Sequence, residues 1–552
     1  MIKENKTEKY LKDIIDYDCT IIGEVDKPIT NITFDSRLVS KNSLFVAIKG
    51  AKTDGHDYIE QSICKGASVI VCNDRKDLIK ELHSKYNATF VIVSDCLSTM
   101  AKMSARFFDN PSKELIVIGI TGTNGKTTTS YIIKSIIESL PQKTGLIGTI
   151  QYMIGQEIFD SPHTTPESPI FQSLLRQMSD NNCNYVVTEI SSHALSQKRA
   201  DNIEFKVAIF TNLTRDHLDF HKDMEEYFLA KSRLFTTLLV DGGTAVINID
   251  DAYGIRLVEI LRDKNINIIT FGIISKEAQL KASDIKIDYK GISYKLYLNN
   301  NFLIDINSPL NGMINVYNTL AAIASSIALN ISIEKIKEGI AMTTLVKGRF
   351  EKVDLGQDFL AVVDYAHTED ALERLLLTAR QLLNAFRVAK ETEELMKAKK
   401  RHYHFEEDSK NTGKIITVFG CGGNRDKGKR SKMGEIASRL SDFVIVTSDN
   451  PRNEDPKEII REIERGIKND NYIVIPDRKV AISLAVELAS TGDIVLVAGK
   501  GHEDYQEIGI ERKLFSDKKT LEEAIKKTIT RPSFADWAGF FDSKRTHQNA
   551  NC

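Results

Sequence analysis

Three features are scarce in this sequence: an excess of one charge, long apolar runs and paired cysteines. Lys and Arg number 74 and Asp and Glu 76, for a formal net charge of −2, so no basic surplus predicts a nucleic-acid partner. No apolar run reaches the roughly 18 residues of a membrane helix, and the polar N-terminus lacks the apolar core of a signal peptide. The 7 cysteines form no CxxC pair, which predicts reduced thiols in a cytoplasmic protein.

What is present is enough chain for several domains. Hydrophobic residues make up 42% of the 552 residues and charged residues 27%, an ordinary balance for a globular protein. Composition and turn signals divide the chain into blocks and a tail. These are residues 1–110, 111–346 and 347–530, followed by the tail 531–552.

Strand and helix patterns alternate in the second and third blocks. Apolar strand patterns occur at 114–120, 185–190, 206–210, 244–249 and 266–271, and again at 359–364, 414–419, 443–447, 472–475 and 493–498. Such alternation is typical of parallel sheets covered by helices on both faces. We therefore predict an α/β protein with a smaller α/β N-terminal domain, a central parallel-sheet ATPase domain and a C-terminal Rossmann-like domain.

Two stretches depart from this alternation. Residues 382–412 are crowded with charge and include His402 and His404, and we interpret them as an inserted helical excursion on the surface. No cysteine or ligand spacing accompanies these histidines, so a metal site is not predicted there. The tail 531–552 has no periodicity and is predicted to be loose.

A glycine-rich loop follows the first strand of the second block. It reads Gly122-Thr123-Asn124-Gly125-Lys126-Thr127-Thr128 and precedes a helical pattern over 127–138. In this setting backbone N–H groups and the helix N-terminus bind phosphate, the lysine reaches the β- and γ-phosphates, and the threonine hydroxyl can ligate Mg²⁺. The loop is a variant, because the first glycine of the usual pattern lies one residue early, at Gly119.

Further motifs follow in one order along the chain. They are DSRLV from residue 35, TTPES from 164, EISSHALSQKR from 189, TNLTRDHLDFH from 211, YFLAKSRLF from 227, NVYN from 315, GRFE from 348, VDYAHTEDAL from 363, GCGGNRDKGKR from 420, DNPR from 449 and GKGHEDYQ from 499. Together with TGTNGKTTT, they resemble the Mur ligase family over roughly residues 30–525.

The resemblance implies an ATP-dependent amide-bond ligase that forms ADP and phosphate. The motifs are similar to those of the member that adds meso-diaminopimelate to UDP-N-acetylmuramoyl-L-alanyl-D-glutamate, through an acyl phosphate, in peptidoglycan precursor synthesis. The alternatives are the same reaction with L-lysine, a ligase of the folate polyglutamate type, and a non-catalytic nucleotide-binding paralogue. ATP and Mg²⁺ are the implied cosubstrate and cofactor, and the protein is expected to be a cytoplasmic monomer with small-molecule substrates only.

The resemblance also implies roles for individual residues. The residues implied in catalysis are Lys126, Lys231, Glu189 and His217. The metal ligands implied are Thr127, Glu189, His217 and Lys231, the last as a carbamate. The ATP contacts implied are Gly122, Thr123, Asn124, Gly125, Lys126, Thr127, Thr128, Asn318, Arg349 and Asp364.

The other two substrates are assigned to the outer domains and the adjoining loops. Block 1–110 is expected to bind the UDP-sugar, block 111–346 ATP and block 347–530 the amino acid. The implied contacts of the UDP-muramoyl dipeptide are Ser36, Ala51, Lys52, Thr53, Thr164, Thr165, Ser191, Gln197 and Arg199. Those of diaminopimelate are Arg425, Asp449, Asn450, Pro451, Arg452, Gly499 and Glu503.

Overall fold

A computed structural model of the protein describes residues 8–16, 18–50, 53–288, 290–343, 346–401 and 413–529. Within these ranges, no helix combines the length and apolar character needed to cross a membrane. The predicted contacts Ala51 and Lys52, the histidines 402 and 404 and the tail 531–552 lie outside the described residues.

The N-terminal part is built around a five-stranded sheet in the order β2-β7-β6-β5-β4. Only β2 is antiparallel to its neighbour. A short β1–β3 pair lies beside it. The elements are β1 Lys9–Tyr10, α1 Leu11–Ile14, β2 Thr20–Ile22, β3 Pro28–Ile29, β4 Asn31–Thr33, β5 Ser43–Val46, α2 Ile59–Cys64, β6 Ala67–Cys72, α3 Lys76–Tyr86, β7 Thr89–Ile92 and α4 Cys96–Phe107.

The central part contains an 11-stranded sheet in the order β11-β10-β9-β12-β8-β13-β14-β15-β16-β17-β18. Neighbouring strands are parallel in the central run β9-β12-β8-β13-β14-β15-β16. The edge strands β10 and β11 on one side, and β17 and β18 on the other, pair antiparallel with their neighbours. The elements are β8 Ile116–Thr121, α5 Lys126–Glu138, β9 Lys143–Ile147, β10 Gln151–Ile154, β11 Glu157–Asp160, α6 Ser168–Asp180, β12 Cys183–Glu189, α7 Ser192–Ser196, β13 Phe205–Phe210, α8 Met224–Arg233, β14 Leu239–Asn248, α9 Ala252–Leu261, β15 Asn267–Gly272, β16 Leu280–Asp288, β17 Gly291–Leu298, β18 Asn301–Ser308, α10 Met313–Ala328 and α11 Ile333–Ala341.

The C-terminal part contains a six-stranded sheet in the order β19-β20-β24-β21-β22-β23, parallel except at β19, and a small β25–β26 hairpin. The elements are β19 Glu351–Val353, β20 Leu360–Asp364, α12 Glu369–Arg401, β21 Ile415–Phe419, α13 Gly428–Leu440, β22 Phe443–Val446, α14 Pro456–Glu464, β23 Tyr472–Val474, α15 Arg478–Leu488, β24 Ile494–Ala498, β25 Tyr505–Ile508, β26 Glu511–Leu514 and α16 Asp517–Ile529.

The α/β class and the parallel sheets predicted from the sequence are confirmed. Apolar residues of the parallel strands pack into clusters on both sheet faces, so Ile118 and Val117 of β8 lie in different clusters. Because both faces of these strands are buried, their sequences are continuous apolar runs without polar alternation. This arrangement also places the ends of β8 and β12 and their following loops at one edge of the sheet, where a ligand can bind.

Candidate active site

The predicted phosphate loop, Gly122–Thr128, follows β8 and leads into the N-terminus of α5, in the strand–loop–helix order expected from the sequence. Gly122 and Gly125 have φ angles of +150° and +89°, which disfavour other residues. A Cβ atom on Gly122 would lie 1.9 Å from Thr211 Oγ1, and one on Gly125 would lie 2.4 Å from Asn318 Oδ1. Both glycines therefore allow the loop to fold tightly against the neighbouring chain.

Two lysines, the partly buried Lys126 and the buried Lys231, share one carbonyl oxygen of this loop. Lys126 Nζ and Lys231 Nζ each donate to Gly122 O at 2.9 Å. Burial lowers the pKa of Lys126, and burial together with the nearby Lys126 charge lowers the pKa of Lys231 well below its usual range. The Lys231 amine is therefore more easily found in its neutral, nucleophilic form than a surface lysine would be.

Glu189 ends β12 beside the phosphate loop and is fully buried. Its Oε2 atom accepts hydrogen bonds from Thr127 Oγ1 and from Thr149 Oγ1, both at 2.9 Å, and its Oε1 atom accepts one from Thr149 N at 2.9 Å. The carboxylate and the two hydroxyls form a group of hard oxygens of the kind that binds Mg²⁺.

His217 follows Asp216 in a loop that reaches the same region. Its backbone has a φ of +56°, and its Nε2 atom lies 3.4 Å from Asp216 Oδ2. Burial lowers the pKa of His217, so the ring is neutral and keeps a lone pair for a ligand. The His193 ring packs edge-on against it at 4.9 Å.

Asn318 lies on α10 beside a smaller cavity of about 70 Å³. Its Nδ2 atom donates to Asn315 Oδ1 at 2.8 Å, which fixes the amide beside Gly125. Asp250, Tyr317 and Arg374 also line this cavity. Its flat ring, amide and carboxylate groups suit the base and sugar of a nucleotide whose phosphates lie on the loop.

Arg349 and Asp364 lie where the C-terminal part meets the phosphate loop. Arg349 Nη2 donates to Thr127 Oγ1 at 3.3 Å, and its guanidinium stacks on the Tyr365 ring at 4.6 Å. Asp364 accepts hydrogen bonds from Phe350 N at 2.6 Å and from Ala366 N at 2.8 Å. Its carboxylate thus holds the chain immediately after Arg349 and immediately after Tyr365.

The residues predicted for the UDP-muramoyl dipeptide fall into two groups. Near Glu189, Thr165 Oγ1 donates to Glu189 O at 2.8 Å and accepts from Ser191 N at 3.0 Å, while Thr164 Oγ1 lies 3.1 Å from Thr149 Oγ1. Arg199 donates to Gln197 Oε1 at 2.5 Å and pairs with Glu167 at 2.8 Å. Ser36 and Thr53 belong to the N-terminal part and do not share a cavity with this group.

The DNPR motif forms a turn that is held by the GKGHEDYQ segment. Asn450 Nδ2 donates to Glu503 Oε2 at 2.9 Å, and Lys500 Nζ donates to Asn450 Oδ1 and to Glu503 Oε2, both at 2.9 Å. Gly499 has a φ of +120°, and a Cβ there would lie 2.6 Å from Asp449 Oδ2. Burial raises the pKa of Glu503, and the adjacent Lys500 ammonium opposes this shift.

One cleft of about 450 Å³ brings most of the predicted residues together. Those lining it are Thr123, Asn124, Gly125, Lys126, Thr127, Thr164, Thr165, Glu189, Ser191, Arg199, His217, Arg349, Arg425, Asp449, Asn450, Arg452, Gly499 and Glu503. The other predicted site residues that the structure describes do not line the cleft. They are Gly122, Thr128, Lys231, Asn318, Asp364, Ser36, Thr53, Gln197 and Pro451. Gly122 and Lys231 lie directly behind it, joined by their hydrogen bond.

Side chains from the central and C-terminal parts meet across this cleft. Asn124 Nδ2 donates to Asp370 Oδ2 at 2.8 Å, and Arg215 Nε donates to Asp426 Oδ2 at 3.1 Å. Arg425 Nη1 lies 3.7 Å from Asp219 Oδ2. The phosphate loop and the DNPR turn therefore face one another in the same space.

The motifs gave no role to two residues of the cleft, Thr149 and His193. Thr149 bridges Glu189 and Thr164, and burial lowers the pKa of His193 to about 4. His367, which lies in the VDYAHTEDAL motif and whose role is left open, also lines the cleft, and burial lowers its pKa to about 4. A signal for Thr149 was its place just after β9, since parallel strands place their following residues at one sheet edge.

Comparison with known proteins agrees with this architecture. Models of the Mur ligase family match residues 28–107 (catalytic domain), 120–326 (middle domain) and 404–501 (glutamate ligase domain). The chain belongs to the Mur ligase family.

Curated relatives cover nearly the whole of this Mur ligase. The UDP-N-acetylmuramoyl-L-alanyl-D-glutamate–2,6-diaminopimelate ligase 1 of Clostridium acetobutylicum is 43% identical, over 92% of this chain and 96% of its own. The corresponding ligase of Clostridioides difficile is 42% identical over the same shares.

Solved structures of ligases are similar as well. A UDP-N-acetylmuramoyl-L-alanyl-D-glutamate–2,6-diaminopimelate ligase superposes with a TM-score of 0.63 at 29% identity, covering 95% of this chain and 100% of that one. MurF of Thermotoga maritima, solved with ADP, has a TM-score of 0.58 at 17% identity, covering 90% and 97%. The latter likeness concerns the fold alone.

Proposed function

We propose that this Mur ligase joins meso-diaminopimelate to UDP-N-acetylmuramoyl-L-alanyl-D-glutamate with hydrolysis of ATP to ADP and phosphate. The observation that carries the proposal is the single cleft in which the phosphate loop, Glu189, Arg452 and Glu503 face one another. The curated relatives with that activity in their names cover 92% of the chain. A phosphate-release assay with the dipeptide substrate and each candidate amino acid tests it, and no release with any of them would favour a non-catalytic paralogue.

The chemistry proposed has two steps. A carboxylate oxygen of the D-glutamyl residue attacks the γ-phosphorus of ATP, and ADP leaves with the electrons of the broken P–O bond. The amine of diaminopimelate then attacks the acyl carbon, phosphate leaves, and the new amide nitrogen loses a proton to solvent. Both steps depend on holding the reactants in line and on neutralising phosphate charge. We assign the neutralisation of charge to Lys126 and Arg349.

A divalent cation fits the oxygen group beside the loop. Thr127, Glu189 and His217 would hold Mg²⁺, which when bound neutralises charge on the phosphate oxygens. Among the described residues, no three His, Cys, Asp or Glu side chains are grouped closely enough to hold a metal ion. Phosphate oxygens and a modified Lys231 would therefore have to complete the ligand set.

The modification proposed at Lys231 is a carbamate formed by CO₂ on its amine. Lys231 is only 1% exposed, and its lowered pKa favours the neutral form of the amine, which attacks CO₂. If both lysines were charged, their ammonium groups on the Gly122 carbonyl would repel one another and any nearby cation. Carbamylation of the neutral Lys231 amine releases a proton and leaves a negative charge, which attracts Lys126 instead.

The domain roles also belong to the proposal. Block 1–110 would bind the UDP-sugar, block 111–346 ATP and block 347–530 the amino acid, with Asn318 beside the adenine. Thr164, Thr165, Ser191 and Arg199 would hold the peptide stem close to Glu189, since hydroxyl and guanidinium donors suit its carboxylates. The cytoplasmic location and the monomeric state stay predictions.

Arg452 is expected to set the choice of amino acid. Its Nε and Nη1 atoms are engaged at 2.9 Å by Glu507 Oε2 and Gly423 O, and the residue lines the cleft. The distal carboxylate of diaminopimelate would pair with the remaining edge of the guanidinium, and the distal ammonium with Glu503. L-Lysine lacks that carboxylate, so we expect wild-type kcat/KM to favour diaminopimelate by about a hundredfold.

Steady-state kinetics of Arg452→Ala measure this preference. The variant should have a sharply higher KM for diaminopimelate, and its kcat/KM values for diaminopimelate and L-lysine should become similar. Arg452→Lys should restore little, because an ammonium cannot form the bidentate fork. Arg465→Ala, which changes an arginine at the end of α14 outside the cleft lining, is the matched control. Equal use of both amino acids by the wild type would contradict the assignment of Arg452.

The contacts across the cleft predict closure of the C-terminal domain over the phosphate loop. Arg215→Gln removes the ion pair with Asp426, in which Arg215 is 38% exposed, so a loss of about 1 kcal/mol, or about fivefold in kcat/KM, is expected. Small-angle scattering with nucleotide and dipeptide should show a larger radius of gyration for the variant. Arg256→Gln, which breaks a pair within the central domain, should change neither quantity; similar values for Arg215→Gln and wild type would argue against closure through this pair.

A further inference from the structure

Glu507 lies behind Arg452, outside the cleft. It belongs to β25, and its side chain is 20% exposed while that of Arg452 is 24% exposed. Glu507 Oε2 accepts from Arg452 Nε at 2.9 Å, yet Arg452 lines the cleft and Glu507 does not. We therefore expect any effect of this carboxylate on a bound substrate to pass through the arginine.

The backbone of the β25–β26 hairpin fixes the same arginine. Arg452 N donates to Glu507 O at 3.0 Å, and Gly509 N donates to Arg452 O at 2.7 Å. Arg452 has a φ of +51°, an uncommon conformation for a non-glycine residue. Contacts on both sides of the residue therefore stabilise a strained turn, as expected where a side chain must be aimed.

A second contact joins the hairpin to the rest of the amino-acid site. Glu507 N donates to Asn450 Oδ1 at 3.0 Å, and the same oxygen accepts from Lys500 Nζ. Gln506 Nε2 donates to Asp449 O at 2.6 Å. The turn that carries Arg452 and the carboxylate of Glu503 are thereby placed in one hydrogen-bonded unit.

We infer that Glu507 is a positioning and specificity-determining residue, which holds the Arg452 guanidinium so that its free edge meets the distal carboxylate of the amino acid. The inference rests on the proposed function. Because Glu507 and Gly423 fix Nε and Nη1, the arginine side chain is ordered before the substrate binds. Binding then does not bear the entropic cost of immobilising this side chain.

A competing effect of Glu507 is that it neutralises part of the Arg452 charge. Arg512 opposes this effect, since its Nη2 atom lies 2.9 Å from Glu507 Oε1. The Arg452 and Glu507 side chains are themselves 24% and 20% exposed, so solvent also screens the attraction between their charges. Positioning should therefore dominate, and removal of Glu507 should weaken rather than strengthen the binding of diaminopimelate.

The test measures kcat and KM for diaminopimelate and L-lysine in Glu507 variants of the full chain. Glu507→Ala should raise the diaminopimelate KM about tenfold, as losses of supporting residues do, with kcat changed less than about twofold. The lysine kcat/KM should change less than about twofold, so the ratio between the two amino acids falls. Glu507→Gln keeps an oxygen acceptor for Arg452 Nε and should restore most of the ratio.

Two further variants make the result decisive. Glu507→Asp keeps the charge but is one methylene shorter, so it should also lose selectivity, even if Glu507→Ala does not fold. Glu511→Gln changes an exposed carboxylate of the same hairpin and should behave as wild type. The inference would be overturned if Glu507→Ala lowered kcat/KM equally for both amino acids, left the ratio of the two kcat/KM values unchanged, or bound diaminopimelate more tightly. A wild-type enzyme that does not use diaminopimelate would instead overturn the proposed function.

Discussion

Replacing Lys126 by alanine is expected to lower kcat by about a thousandfold. The lysine lies at the N-terminus of α5, where it donates to the carbonyls of Gly122 at 2.9 Å and Thr123 at 3.0 Å. Bound phosphate would draw the Lys126 ammonium away from these neutral carbonyls. The ammonium would then stabilise most strongly the negative charge that develops on the γ-phosphoryl group in the transition state. The loss should therefore appear in kcat and not only in the KM for ATP.

A coupled assay of ADP release at saturating ATP measures this effect. Lys134→Gln is the matched control, because Lys134 lies on the same helix and pairs with Glu138 on the far side from the loop. It should retain most of the wild-type rate. Near-normal turnover of Lys126→Ala at saturating ATP would show that the lysine does not act on the transferred phosphoryl group.

Replacing Lys231 by alanine is expected to lower turnover by a hundredfold to about a thousandfold. The change removes the carbamate oxygens proposed to face the metal and leaves a space behind Gly122. A short carboxylic acid such as acetate can place two oxygens in that space, so it should partly restore the activity of Lys231→Ala. Glu189 and Thr127 remain in place to hold the other side of the cation.

Carbamylation itself is measured by carbon-13 NMR after equilibration with labelled bicarbonate. The wild type should show a carbamate signal that Lys231→Arg lacks, and activity should fall in CO₂-free buffer and return when bicarbonate is added. Lys222→Arg, on the exposed turn before α8, should keep both the signal and the activity. A fully active wild type without the signal would refute the modification.

The strands of the two parallel sheets were predictable because burial on both faces demands unbroken apolar runs. The pattern at 114–120 corresponds to β8 Ile116–Thr121, and that at 493–498 to β24 Ile494–Ala498. The antiparallel strands β16 to β18 were not predicted. Alternating partly buried and exposed side chains in β16 give a period of two over a polar sequence, which composition alone does not distinguish from a loop.

Residues of the candidate site could be predicted where they belong to a sequence motif. They could not be predicted where their place in the site depends on tertiary packing. Lys126 and Thr127 follow from the loop, and Glu189 from a strand that ends in a carboxylate. Thr149 and Glu507 carry no motif of their own. Each acts through a partner that is distant in the sequence, Glu189 and Arg452 respectively, so only the tertiary structure pairs them.

Helix α12 is long enough to convert a small rotation of the C-terminal domain into a large displacement at the far end of the helix. Its 33 residues span about 50 Å at the usual helical rise, and Asp370 in its first turn touches the phosphate loop through Asn124. Its buried residues Leu372 to Leu383 fix its first half to the domain core. A rotation of about 10° at the loop would then carry the far end through about 9 Å along an arc, so a fluorophore on that end would report nucleotide-driven motion without entering the cleft.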